Sequence, residues 1–460
     1  MQFIKGNGII RYLLTERNAA GRSAAPTKTY HERISMKRFL IDKHFLRNAG
    51  IILVLLCALL AFSACDGAIE YAVISENNTS SDGYIYTLYE NNTAVITGIK
   101  NPEQKVLRIP EKVDSYQVTS IAQGAFEGNT FIQYLSIPKG VTTISQSAFR
   151  KCYGLLRVDL SETVTTIGDF AFDSCEKLCE VNGLTGVKTI GSSAFFQCLS
   201  LSVFDFPAGL KTIGEQAFYG CSVLTTVRLP QKIESVGFGA FAQCKTLTRI
   251  DLGGLKVVAD AMFERAESLL EVKIGNSVER LGERAFRGSR NLESVTIGKN
   301  VAYIGSAAFE NTQWLSKQKD EFFVVGKGVL LKYNGKSAEV VLPKNIKVIA
   351  DAFNSASKLE SITIGNNVTA IAEYAFNGCL NLKTVILEGK IETIGNCAFL
   401  GCAALETITL PKTLKSVGDN AFSGCNALKT VIYKGKSDAW YAIPVGKGNQ
   451  YLQTAEMVFQ

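Results

Sequence analysis

The chain has 460 residues, 47% of them hydrophobic and 20% charged, enough for several domains or one long array. Its formal charge is +7, but ten of the 49 basic and three of the 42 acidic residues lie in 1–64, which leaves 39 of each in 65–460. That balance removes the electrostatic case for nucleic-acid binding, and with both histidines (His31 and His44) ahead of Cys65 the remainder has no Ser-His-Asp or Cys-His catalysis and no ordinary catalytic zinc site.

Residues 1–35 stand upstream of a complete signal and read as a start called too early. Residues 36–64, from Met36, have the layout of a secretory signal: a basic segment, the apolar run Ala49–Phe62, then small residues before Cys65. The run is about 14 residues, short of the roughly 20 that span a bilayer as a helix. Phe62-Ser63-Ala64-Cys65 resembles a bacterial lipobox, which implies lipid on Cys65 and an exported chain anchored to a membrane without a spanning helix. The alternative is an ordinary signal with an incidental cysteine. Residues 65–83, ending in NNTSSDG, read as a tether, and 84–120 as an N-terminal cap.

A repeat fills 121–433. Thirteen phenylalanines, all but one preceded by Ala, fall at 126, 149, 172, 195, 218, 241, 263, 286, 309, 353, 376, 399 and 422. The step is 23 residues, with one of 22 and one of 44. A fixed period of this size marks a solenoid whose coils bury their faces only against their neighbours. Six residues after the Phe stands Leu in twelve of thirteen coils; apolar residues three and five further on alternate with polar ones, as in a strand. An aliphatic residue and Gly, such as Ile167-Gly168, precede most Phe, and the Gly is expected to adopt a backbone conformation that other residues avoid. Each coil is therefore expected to hold one strand, a second short extended piece and turns, the strands forming a parallel sheet. In 312–343 the pattern departs, and Phe322–Val325 and Val329–Tyr333 flank GKG as a hairpin island.

Eight cysteines stand three residues after the landmark Phe: Cys152, Cys175, Cys198, Cys221, Cys244, Cys379, Cys402 and Cys425. Disulfides suit an oxidising compartment, but other coils place Asn129, Ala266, Ser289, Thr312 and Ala356 there. A position that accepts these selects for small size, so the cysteines read as a column of buried thiols. No C-x-x-C occurs, and no metal or cofactor is expected. Cys179 and Cys397 lie outside the column and are the candidates for reactivity.

The Ala-Phe, Leu-x-x-Val-x-Ile and Ile-Gly elements together resemble the BspA-like class of leucine-rich repeat proteins, over about Tyr84 to Gln460. The resemblance implies a mainly β, leucine-rich-repeat-like right-handed coil with a parallel sheet on one face, short helical or 3-10 turns, and caps, the last being 434–460. It also implies a surface protein associated with adhesion to host matrix proteins and other bacteria. Positions eight and ten after each Phe face outward and form the candidate binding face: Arg157, Asp159, Glu180, Asn182, Asp205, Arg228, Arg249, Asp251, Glu271 and Lys273. Later coils carry Ser and Thr there. The plain alternative is a solvated sheet face. Tyr134, Trp314 and Trp440 are candidate hot spots, with Trp314 expected against the island and Trp440 in the cap core.

The expected function is non-catalytic: a lipid-anchored binder of proteins or glycans on host or neighbouring cells, located at the cell surface. The alternative is a periplasm-facing envelope scaffold, which Asp66 after Cys65 keeps open. An enzyme built on a carboxylate pair is the third reading, and no such pair recurs outside repeat phase.

Overall fold

The computed structural model describes residues 71–460, so Cys65 and the segment 36–64 expected to be a secretory signal lie outside the described residues. Each coil carries two extended pieces. The piece before the Ala-Phe turn, two residues such as Thr166–Ile167, pairs in parallel with Thr143–Ile144 and Thr189–Ile190. The piece after it, such as Arg157–Asp159, pairs in parallel with Tyr134–Ser136 and Glu180–Asn182. Two parallel ladders thus run along the solenoid, a short-stranded and a long-stranded one, where the sequence pattern led us to expect one sheet. A third ladder links the turns: the Phe149 N–H donates to Ala171 O and the Phe172 N–H to Ala194 O, both at 2.8 Å. Every landmark Phe is buried, and neighbouring rings stack with centroids 5.0 to 5.6 Å apart.

The glycine of each Ile-Gly pair has a different reason from the one expected. Gly191, Gly214 and Gly237 do not have positive φ. A Cβ on Gly214 would lie 2.3 Å from the Ser192 backbone nitrogen, and one on Gly237 2.5 Å from that of Glu215. Close approach of the preceding coil selects glycine, with alanine at Ala259 and Ala372. The left-handed residue comes two positions later, at Ser147, Phe170, Ser193 and Gln216 (φ 53–56°), and is mostly not glycine.

The cysteine column is fully buried and free of disulfides. Size is only part of its chemistry. Each Sγ–H donates to the landmark Phe carbonyl of the preceding coil, from Cys152 to Phe126 at 3.2 Å and from Cys221 to Phe195 at 3.2 Å, and Ser289 makes the same bond to Phe263. Burial pushes the thiols of Cys152 and Cys221 up to about 12. At pH 8 that cuts the thiolate fraction by on the order of a thousandfold relative to an ordinary thiol. Cys179 is exposed and Cys397 half-buried. Alkylation of the folded chain, mapped by mass spectrometry, is therefore expected to modify Cys179 while the eight column thiols stay unmodified until unfolding.

The ends close opposite ladders. Val73–Thr79 pairs antiparallel with Tyr84–Tyr89, which pairs with Thr93–Ile99 and so extends the short ladder. Residues 73–79, read from the sequence as tether, are thus an exposed, bulged edge strand without an apolar alternation to announce it. At the other end Glu456–Phe459 adds to the long ladder beside Thr430–Lys434. Trp440, on helix α2 (Ser437–Tyr441), is buried against Tyr433. Asn449 stands in for the missing next coil: its Oδ1 accepts the Phe422 N–H at 2.8 Å, and its Nδ2 donates to Gly418 O at 2.9 Å.

Three irregularities interrupt the ladders. At Val203–Phe206 no strand forms, although the short ladder and the turn ladder continue past it. Phe204 and Phe206 stand where neighbouring coils hold Val181 or Leu229, and their rings wedge edge-on against Phe195, Phe218 and Phe241. The extra volume keeps that backbone out of register. At the 22-residue step the short ladder lapses between Ser235–Val236 and Val257–Val258 and the long one between Arg249–Asp251 and Glu271–Ile274, yet the turn ladder holds through Phe241 N–H to Met262 O at 3.0 Å. At the island all three stop. The hairpin Phe322–Val325 and Val329–Tyr333 sits there, preceded by helix α1 (Gln313–Lys317). It acts as a partition: Phe323, Val325, Val329 and Leu331 pack into the N-terminal core, Phe322, Val324, Leu330 and Tyr333 into the C-terminal one. Trp314 is buried between Phe309 and Phe323, at 4.8 and 5.5 Å.

Candidate binding face

The long ladder orders outward side chains into two columns. Register pairs Val106, Tyr134, Arg157 and Glu180 in one, and Arg108, Ser136, Asp159 and Asn182 in the other. Past Val203–Phe206 the columns resume as Thr226 with Arg249 and Arg228 with Asp251, then Glu271 with Ser294 and Lys273 with Thr296. The alternating partners Val158, Val227 and Val272 are buried, so strand periodicity fixes which residues face solvent. All ten candidate residues lie on this outer side, each exposed or half-exposed.

Their chemistry divides them. Four form a closed network. Arg157 Nε donates to both oxygens of Asp159 at 2.9 and 3.0 Å, and its Nη1 lies 3.4 Å from Glu180. Asn182 Nδ2 donates to Asp159 at 2.9 Å and to Glu180 at 2.8 Å. Burial pushes the Asp159 carboxyl up, but the bonds from Asn182 and Arg157 outweigh it and leave the group below the usual carboxylate range. Exposed ion pairs of this kind add little stability, so the network sets side-chain geometry. Glu271 and Lys273 pair at 3.5 Å, and Asp251 accepts the Gly253 N–H at 2.9 Å.

Asp205, Arg228 and Arg249 differ. Among the described residues no hydrogen bond or ion pair engages their side chains. Asp205 and Arg228 line a shallow cavity of about 290 Å³ with Val203, Phe204, Phe206 and Thr226. Val203 is 58% exposed there. The break in the long ladder thus gathers unneutralised charge of both signs around an apolar floor, a combination suited to anchoring a partner side chain. The sequence placed these residues on the face; the cavity follows from the two phenylalanines that displace the strand. Tyr134 is 45% exposed beside Arg157, whereas Trp314 and Trp440 are buried and supply no surface.

Beyond the island the face changes. Glu339–Val341, Ser361–Ile364, Thr384–Leu387, Thr407–Pro411, Thr430–Lys434 and Glu456–Phe459 form one continuous parallel sheet. One column reads Glu339, Ser361, Thr384, Thr407, Thr430 and Glu456, with charge only at its two ends, and the other Val341, Thr363, Ile386, Thr409, Ile432 and Val458, with none.

Among the described residues no group of three or more His, Cys, Asp or Glu is placed to hold a metal ion, and no helix is long and apolar enough to cross a membrane. Glu373 is pushed up to about 7, first by burial and then by the Glu283 carboxyl, which lies ninety positions away in the chain and on the other side of the island, and no local motif signals this neighbour.

A family model described as BspA type leucine rich repeat region matches residues 107–221, 188–316 and 331–440, with six copies. Among solved structures, a leucine-rich repeat protein from Bacteroides ovatus is 23% identical, covering 82% of this chain and 98% of its own, with a TM-score of 0.44. A leucine rich cell surface protein from Faecalibacterium prausnitzii is also 23% identical, covering 82% and 98%, with a TM-score of 0.39. The leucine rich repeat protein of T. pallidum is 30% identical over 47% of this chain and 91% of its own, with a TM-score of 0.37. No curated protein matches the chain.

Proposed function

Because the chain belongs to the BspA-type leucine-rich repeat family, we propose that it is a membrane-anchored, non-catalytic interaction protein outside the cytoplasm, an adhesin-like binder of proteins or glycans on host or neighbouring cells. The observation that carries the reading is the break at Val203–Phe206, where Asp205 in the break and Arg228 and Arg249 on the strands that follow it stand unpaired and outward-facing beside an apolar floor. Such a site needs little reorganisation to bind, because the core beneath it is already packed. Anchoring rests on the lipobox-like Phe62-Ser63-Ala64-Cys65.

Protease shaving of intact source cells tests the location, with a cytoplasmic marker as control for lysis. Peptides from 66–460 are expected from intact cells. Their appearance only after lysis, with expression verified, would sink the adhesin reading in favour of a periplasm-facing envelope scaffold. For the face itself, an Arg228→Glu/Arg249→Glu variant is expected to lower adhesion of cells displaying the chain at least threefold, the effect of losing about one charge-assisted contact. Unchanged adhesion at equal display would remove this part of the ladder from the proposal.

A further inference from the structure

The coil of Phe286 carries arginine two residues before its landmark ring, one after and four after, at Arg284, Arg287 and Arg290. No other coil has a basic residue at all three positions. The preceding one holds Ala261, Glu264 and Glu267 there, and the following one Ala307, Glu310 and Gln313. Arg265 adds a fourth arginine from the preceding coil, on a left-handed backbone with φ 59°. The turn ladder sets these residues one coil apart: the Arg265 N–H donates to Arg287 O and the Gly288 N–H to Glu310 O, both at 2.8 Å.

A pocket of about 210 Å³ lies over this part of the ladder, and its polar side chains are Gln243, Glu264, Arg265, Arg287, Arg290 and Asn311. Arg287 is neutralised: its Nε lies 2.7 Å from Glu310 and its Nη1 3.7 Å from Glu264. Arg265 and Arg290 are exposed, and among the described residues no hydrogen bond or ion pair engages either guanidinium. Glu267, one coil before Arg290 in the same column, does not pair with it. The side-chain amides of Gln243 and Asn311 are likewise unengaged. So is the Asn311 N–H, where the N-terminal run of turn bonds ends, although Gln243, Arg265 and Gly288 each pass theirs to the next coil. Arg284 lines the neighbouring cleft with Glu283 and is not part of this pocket. We propose that the pocket binds a tetrahedral oxyanion, sulfate or phosphate, either free or carried as a monoester on a larger molecule.

Charge carries the choice of ligand. With Glu264 and Glu310 both spent on Arg287, the pocket keeps the two positive charges of Arg265 and Arg290, which match the two negative charges of sulfate. A guanidinium is a planar fork that gives a tetrahedral oxyanion two parallel N–H bonds, and here one fork comes from each of two neighbouring coils. The amides of Gln243 and Asn311 supply further donors. The ladder itself does not need the extra arginines. Near the N-terminal end the equivalent trio Glu127, Arg150 and Asp173 is held by ion pairs at 3.4 and 2.7 Å, with Lys151 and Tyr153 at the places of Gly288 and Arg290. The pocket lies on the turns, apart from the candidate face on the long ladder, and it does not rest on the adhesin reading.

Calorimetric titration of the full chain with sodium sulfate, and in parallel with sodium phosphate, against sodium chloride at matched ionic strength tests the site. Saturable binding at a single site is expected. An Arg265→Gln/Arg290→Gln variant is expected to weaken it at least tenfold, because each arginine supplies a charge-assisted contact. Arg228→Gln/Arg249→Gln, which removes the unpaired arginines of the long ladder, is expected to bind as the parent does. Both variants change exposed, unengaged side chains and should melt with the parent in anion-free buffer, which separates lost affinity from lost fold. A sulfated oligosaccharide that binds more tightly than inorganic sulfate, and loses that binding in the Arg265→Gln/Arg290→Gln chain, would identify a carried monoester; one that binds no more tightly would identify the free ion. No saturable binding of either inorganic anion, or an affinity unchanged in Arg265→Gln/Arg290→Gln, would overturn the proposal. An equal loss in Arg228→Gln/Arg249→Gln would also overturn it, by showing attraction to net charge instead of a site.

Discussion

Replacing Phe218 by alanine is expected to destabilise the solenoid by about 3–5 kcal/mol, as deletion of a fully buried aromatic ring does elsewhere. Phe218 has no exposed surface. Its ring stacks on Phe195 at 5.2 Å and Phe241 at 5.3 Å, and takes Phe204 and Phe206 edge-on at 4.8 and 5.4 Å. The neighbours cannot close the gap, because each is pinned one coil away by the turn ladder on both sides of Phe218. Denaturant unfolding measures the cost. The companion substitution Phe131→Ala, at a ring 47% exposed, is expected to cost less than about 1 kcal/mol. A small loss at Phe218 would mean that the stack is not a source of stability.

Trp314→Ala is expected to act differently. Trp314 is the aromatic contact between the last ring of the N-terminal stack and the partition hairpin. Its truncation should cost about 3–5 kcal/mol, lost where the N-terminal core packs on the partition hairpin. In a quasi-one-dimensional array each unit senses only its neighbours, so a weakened interface separates the transitions on its two sides. Calorimetry should therefore resolve two thermal transitions where the parent chain shows one. A single transition shifted downward would show that the halves remain coupled through the hairpin strands alone.

The fold could be read so fully because a solenoid repeats its instructions. Thirteen landmark phenylalanines and the alternation after each Leu place the long ladder within a residue, and the island hairpin lies where Phe322–Val325 and Val329–Tyr333 flank GKG. What escaped was whatever occurs once, or depends on the next coil. The Ile-Gly glycine reads as a turn glycine in one dimension; only stacking reveals that the preceding backbone fills its Cβ space. The column cysteines read as small residues, and the bond from each Sγ–H to a carbonyl one coil back needs the third dimension. On the candidate face, alternation was enough to name the outward residues. It could not separate the self-paired Arg157, Asp159, Glu180 and Asn182 from the unengaged Asp205, Arg228 and Arg249, because Phe204 and Phe206 look like ordinary strand residues until their rings must share space with three others. The Asp351 carboxylate, which accepts the Ala307 N–H at 2.7 Å from across the island, depends on a one-residue deletion before Phe353 that has no periodic signature.

The Asn449 cap has a consequence for length. In the run of coils that leads to Phe422, each presents its successor with the same donors and the same apolar layer, so nothing inside the repeat says where to stop. The stop is written once, in a side chain that answers the Phe422 N–H and in a closing strand that leaves the chain at Gln460. A copy truncated before that segment would keep a fully formed last layer with open donors and a bare aromatic ring, a growth face on which another molecule's coil could register. The cap withholds that growth face from other copies.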